Sequence, residues 1–184
     1  MPEDHAEIRS VLNFWFSEIQ PRQWFVKDQA FDGEISHRFA DVHRRAKAGD
    51  LDAWGLSADG ALALIVVLDQ FSRNMFRNTF DSFATDAQAL AIAKRAIDAG
   101  FDQQVDEKRR SFFYLPFEHS EDLHDQERSI LLFGTLGNSD LLDWAEKHKI
   151  IIERFGRFPH RNAVLGRASS AEEEDFLTQA GSSF

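Results

Sequence analysis

The chain has 184 residues, 43% hydrophobic and 28% charged, with a formal net charge of −10 and no cysteine. That length and balance suit one folded all-helical domain over residues 1–184 and exclude a disordered chain. The acidic surplus speaks against nucleic acid and anionic membranes as partners. The lack of cysteine excludes disulfides, thiolate catalysis and Cys-ligated metals, and fits a cytoplasmic setting.

The opening MPEDHAEIRS is charged and has no apolar stretch, so no secretion signal is expected. Ile8, Val11, Leu12, Trp15 and Phe16 recur at helical spacing and predict a helix over 4–18, broken at Pro21. A second helix is expected over 28–47, with Phe31, Ile35, Phe39 and Val42 inward and Gly49 as its stop. Residues 50–57 read as an irregular connection. The third helix, 58–75, contains ALALIVVL, which is too short to span a bilayer and reads as a buried helix at the centre of the fold.

Thr85 is placed as the N-cap of a helix over 86–99 that stops at Gly100. A fifth helix, 106–117, should kink or end at Pro116. Ser120 is the expected cap of the sixth, with Glu121 and Asp122 in its first turn and an end near Gly134 or Gly137. Ser139 should cap a seventh that ends at Gly156, and a short last helix should follow Ser170. No strand pattern of useful length is present. The expected fold is therefore all-α: seven or eight helices in antiparallel pairs around a Phe-rich core supplied by 18 phenylalanines.

Three polar stretches could carry chemistry. In DQFSRNMFR, Asp69, Arg73 and Arg77 fall at i, i+4 and i+8 and share a helix face if the helix runs that far. In LPFEHSEDLHD, Glu118, His119, Asp122 and Asp125 combine carboxylates with imidazole, a mixture suited to acid–base work or a divalent metal. The spacing matches no established metal motif, so no metal and no cofactor are assigned. In RFGRFPHRN and beyond, Arg154, Arg157, Arg161 and Arg167 crowd one loop and need counter-anions. Those come either from the acidic patch at 118–125 or from an anionic ligand. No phosphate-cradling glycine loop and no nucleophile elbow occurs.

These stretches also carry a family resemblance. VLNFWF, FD-EI--RF, LALIVVLDQFSRN, FATDAQALAIAKRAIDAGFD, FFYLPFEHSEDLHDQERS, RFGRFPHRNAVLGR and the closing GSSF resemble, in order and over the whole chain, the bacterial family known as domain of unknown function 924. The resemblance implies an all-helical fold similar to tetratricopeptide-like proteins and no established activity. The family's usual DQFPRN is DQFSRN here. Ser72 stands in the proline's place, a change expected to loosen the turn while keeping Arg73 and Asn74.

The leading expectation is a cytoplasmic binding module for a small anionic molecule or peptide. Its pocket would draw on Arg73, Asn74, His119, Asp122, Arg157, His160, Arg161 and Asn162, with Trp24 or Phe117 as apolar walls. The alternative is a hydrolase using His119 or His160 with Asp122 and Glu118, with or without a divalent cation. The third possibility is that the acids and arginines form only a buried network that fixes how helices dock. Oligomeric state is not readable from the sequence.

Overall fold

The computed structural model describes residues 2–183; Met1 and Phe184, the last residue of the GSSF signature, lie outside them. The α-helices are α1 Pro2–Asn13, α2 Gln29–Ala48, α3 Ala58–Ile65, α4 Ser72–Met75, α5 Asp86–Asp98, α6 Glu107–Glu118, α7 Leu123–Gly134, α8 Ser139–Phe155 and α9 Ala171–Leu177. A π turn, Val66–Phe71, joins α3 to α4 with every junction residue in the right-handed helical region, so 58–75 is one helical run. Counted that way, the described residues form eight helices and no strand, and the fold is all-α. The chain divides into two compact units: residues through Arg77 with Asp81–Pro116, and Asn78–Phe80 with residues from Phe117 onward.

The first unit is built on aromatic rings. After α1 the chain widens into a π turn, Phe14–Glu18, instead of continuing as α-helix to residue 18. Phe14, Trp15 and Phe16 are all buried in succession along this wider turn. Trp15 meets Phe71 and Phe112 edge-on at 5.5 and 6.1 Å between ring centroids, and Phe14 meets Phe39 at 5.1 Å. Leu62 to Leu68 are all essentially inaccessible, as an all-round apolar helix requires.

Local signals account for most helix ends. Asp28 caps α2 by accepting from the Ala30 and Phe31 amides, and Gly49 closes it at φ 85°. The irregular connection is in fact a 3-10 turn, Asp52–Leu56, and Gly60 packs against it. A Cβ on Gly60 would stand 2.1 Å from the Trp54 carbonyl oxygen.

Three expected caps differ in the structure. Thr85 holds the N-cap position of α5 as placed but makes no cap bond; its buried hydroxyl donates to the Leu68 carbonyl at 2.5 Å instead. Asp122, not Ser120, caps α7, so Glu121 and Asp122 precede the helix rather than fill its first turn. Asn138, not Ser139, caps α8. In both of these cases the capping residue is the last one with extended backbone, and its side-chain oxygen reaches forward to the first amides.

Ser72 is fully buried, and its hydroxyl touches the Leu68 carbonyl at 2.8 Å, Thr85 Oγ1 at 2.7 Å and His43 Nε2 at 2.7 Å. The serine ties three segments together instead of loosening a turn. In the second unit α7 and α8 pack as a hairpin across a short turn. Ile151, Ile152 and Phe158 form an apolar cluster against which Phe155 and Phe176 pack. Among the described residues, no helix is long and apolar enough to cross a membrane.

Candidate functional site

Pro116 removes one amide donor, yet α6 continues to Glu118. The carbonyls left over at its end are gathered by Gln126 of α7. Its side-chain nitrogen donates to the Glu118 and Ser120 carbonyls at 2.7 Å each and to that of Phe117 at 3.3 Å. This bracket fixes the corner at which Glu118 and His119 leave the helix.

Glu118 is buried, and its Oε1 lies 3.1 Å from Nδ1 of His148 on α8, both side chains being 6% exposed. The same nitrogen lies 2.8 Å from the Trp144 carbonyl. A carbonyl only accepts, so Nδ1 carries the hydrogen, and in the neutral ring Nε2 holds the lone pair. Burial pushes the His148 pKa down to about 3. The bond to Trp144 works against that shift, while the charges of His119, Arg161 and His160 reinforce it. His148 is therefore a neutral imidazole at pH 7, oriented by a carboxylate and a carbonyl.

A ring of groups surrounds it. The His119 and His148 rings are 6.3 Å apart, Phe158 meets His148 edge-on at 5.6 Å, and His160 lies 5.7 Å from Phe158. The Arg161 guanidinium carbon stands 4.5 Å over the Phe158 ring, a cation–π contact, and the residue is only 6% exposed. His119 and His160 are half-buried.

The loop that presents Phe158, His160 and Arg161 is held by two arginine clamps. Gly156 ends α8 in the left-handed region at φ 66° and turns the chain. Arg157 then grips Glu173 at 2.6 and 2.7 Å, and Arg167 grips Glu121 at 2.7 and 2.9 Å. Glu121 also accepts the Phe158 amide at 2.8 Å. Burial would raise the Glu121 pKa, but Arg167 and that amide outweigh it and hold the carboxyl below its usual range. Arg157 and the Ser170 amide hold Glu173 lower still, at about 2. Asn162 is buried and donates to Ser169 at 3.1 Å.

The expected counter-anions divide accordingly. Arg167 takes one from the acidic patch, at Glu121, while Arg154 and Arg157 take theirs from Glu172 and Glu173 at the start of α9.

Of the expected site residues, His119, His160 and Arg161 gather around His148 and Phe158. Asp122 is exposed and accepts from the His124 amide as the cap of α7. Arg157 and Asn162 brace the loop. Arg73 and Asn74 belong to the first unit. There Arg73 pairs with Asp86 at 2.8 Å and Asp69 at 3.1 Å, and Asn74 donates to Asp32 at 2.7 Å, which Arg77 also grips. Trp24 packs on Trp15 and donates to its carbonyl at 2.9 Å, and Phe117 is buried.

The sequence reading missed His148 and Phe158. A signal for the first was present: His148 shares helical spacing with Ala145, Ile151 and Ile152, an apolar face on which a histidine needs a partner. Among the described residues no group of three or more His, Asp or Glu side chains is arranged to hold a metal ion.

Residues 11–181 match the family described as "Bacterial protein of unknown function (DUF924)", and the chain belongs to that family. It is similar to a solved structure, a protein of unknown function, ATU0120, from Agrobacterium tumefaciens. The two are 46% identical with a TM-score of 0.90, over 94% of this chain and 97% of that one. No curated protein matches the sequence.

Proposed function

We propose that this member of the family is a binding module for a small anionic molecule or a peptide carboxylate, with recognition centred on His119, His160 and Arg161. The observation that carries this reading is the setting of Arg161: a buried guanidinium stacked on Phe158, with His119 and His160 close enough for their charges to be felt at His148. A guanidinium offers a planar fork of donors that suits carboxylate or phosphate, and its attraction grows where water is thin. His148 stays neutral, so it adds a polar ring without adding charge. The clamps on Glu121 and Glu173 hold the presenting loop rigid, which lowers the entropy cost of binding. The α7–α8 hairpin supports the likeness to tetratricopeptide-type helix pairs, and the cysteine-free composition supports a cytoplasmic location.

The test is a thermal-shift and calorimetric titration with citrate and inorganic phosphate. Saturable binding that is lost in a folded Arg161→Gln variant supports the site. Binding unchanged in that variant overturns it.

A second reading rests on a different observation, the Glu118–His148 pair. A carboxylate that fixes an imidazole tautomer is the arrangement of a general base in hydrolysis. Its depressed pKa makes His148 a weak base, which favours the binding reading. Turnover of chromogenic esters that disappears in both Glu118→Gln and His148→Asn would reverse that preference.

A further inference from the structure

The first unit carries a groove of about 450 Å³, lined by Arg9, Ser10, Leu12 and Asn13 of α1, Ser17 of the π turn, Asp59 of α3 and Arg109 of α6. That volume suits a small-molecule ligand. Its arginines differ from others in the same unit. Arg38, Arg45, Arg73 and Arg77 each meet a carboxylate at 2.6 to 2.8 Å. Arg9 makes no ion pair among the described residues, and Arg109 has only a 3.5 Å contact from Nε to Asp106 while resting over the Phe16 ring.

The chain holds 31 acidic side chains against 21 basic ones, so carboxylates are not scarce. Even so, the groove wall holds one acid, Asp59, against two arginines. The serine hydroxyls of the wall, Ser10 and Ser17, make no side-chain hydrogen bond among the described residues, so they remain available as donors. The π turn contributes the second of them, and π turns inside helices recur at functional positions.

We propose that this groove binds a small molecule through an oxyanion group, phosphate or carboxylate, held between Arg9 and Arg109, with Ser10 and Ser17 donating to it and Leu12 as its apolar floor. The proposal does not depend on the His119–Arg161 cluster.

The experiment is calorimetric titration of the full chain carrying Arg161→Gln, which takes the other cluster out of the signal, with inorganic pyrophosphate and, separately, citrate, at matched ionic strength. Saturable binding to at least one is expected, and which one identifies the head group. The double variant Arg9→Gln/Arg109→Gln should weaken it at least about tenfold, whereas Arg44→Gln, at an exposed arginine outside the groove, should leave it unchanged. No saturable binding to either probe overturns the proposal, as does binding that survives in the double variant. If the double variant loses its helical circular dichroism, Ser17→Trp, which fills the groove from an exposed position, replaces it with the same expectation.

Discussion

In the first unit the buried polar groups form closed sets, each carboxylate or hydroxyl matched within an aromatic core; in the second they crowd around one phenylalanine ring at a loop. Asp69, Arg73 and Asp86 form a triad with the Asp69 side chain only 1% exposed. His43, Ser72, Thr85 and the Leu68 carbonyl form a buried cluster in which both hydroxyls donate to Leu68 and the His43 ring meets Ser72. The second unit has a smaller apolar cluster and sets Glu118, His148, His119, His160 and Arg161 near Phe158. Closed sets hold a scaffold in one arrangement. The second set places two half-buried histidines and a buried arginine around one ring. The contrast is between polar groups paired inside an aromatic core and polar groups gathered at a loop.

The largest test of this contrast is at the aromatic core. Trp15→Ala, at a residue with no exposure, should cost about 3–5 kcal/mol in chemical denaturation. Arg73→Met leaves Asp69 in the interior with Asp86 nearby and no cation between them, and should cost about 3 kcal/mol. The comparison is Arg154→Ala in the second unit, where the side chains of the pair are 46% and 62% exposed. It should change stability by less than about 1 kcal/mol. Equal losses in the two would erase the distinction between closed and open ion pairs.

Gly60→Ala sets a methyl group against the Trp54 carbonyl, which belongs to backbone and cannot rotate away. A loss of about 1–3 kcal/mol is expected.

Acid should then act on both units through their buried histidines. Burial and Lys47 bring His43 down to about 4, and burial brings His148 to about 3. Both folded values lie below the unfolded value near 6.5, so stability from these groups is complete above pH 6.5. As pH falls from there, the unfolded chain binds protons that the folded chain refuses. Each histidine then lowers stability by at most about 1.4 kcal/mol per pH unit, down to about pH 4 for the first and pH 3 for the second. Denaturation midpoints measured from pH 7 to 4 should fall, and His148→Asn should flatten the slope. A slope unchanged by that substitution would show that His148 does not contribute.

A small effect is also expected at the last helix. Ser170 accepts from the Glu173 amide while Glu173 accepts from the Ser170 amide, a capping box. Ser170→Ala should cost about 1 kcal/mol.

Much of the candidate site was visible as residues but not as an arrangement. His119, His160 and Arg161 stand out because charged and imidazole groups cluster beside Gly and Pro. The partners of Arg157 and Arg167 were not readable, since the sequence offers several acids at comparable distances along the chain. Glu121 is 46 residues from Arg167 and Glu173 is 16 from Arg157, and the loop's path selects between them. His148 was hidden because its carboxylate partner is far away in sequence; Glu118 reaches it only once the second unit has folded.

The sequence by itself determined the all-α class, the inward faces of the helices and most of their ends. Those depend on interactions within about four residues: amide to carbonyl, cap to first turn, one apolar side chain to the next on the same face. Only the tertiary structure decided which arginine meets which acid, that His148 stands neutral against Glu118, and that two π turns bury runs of consecutive side chains. Those outcomes depend on burial, which dehydrates a charge or a ring only after segments distant in sequence have closed over it.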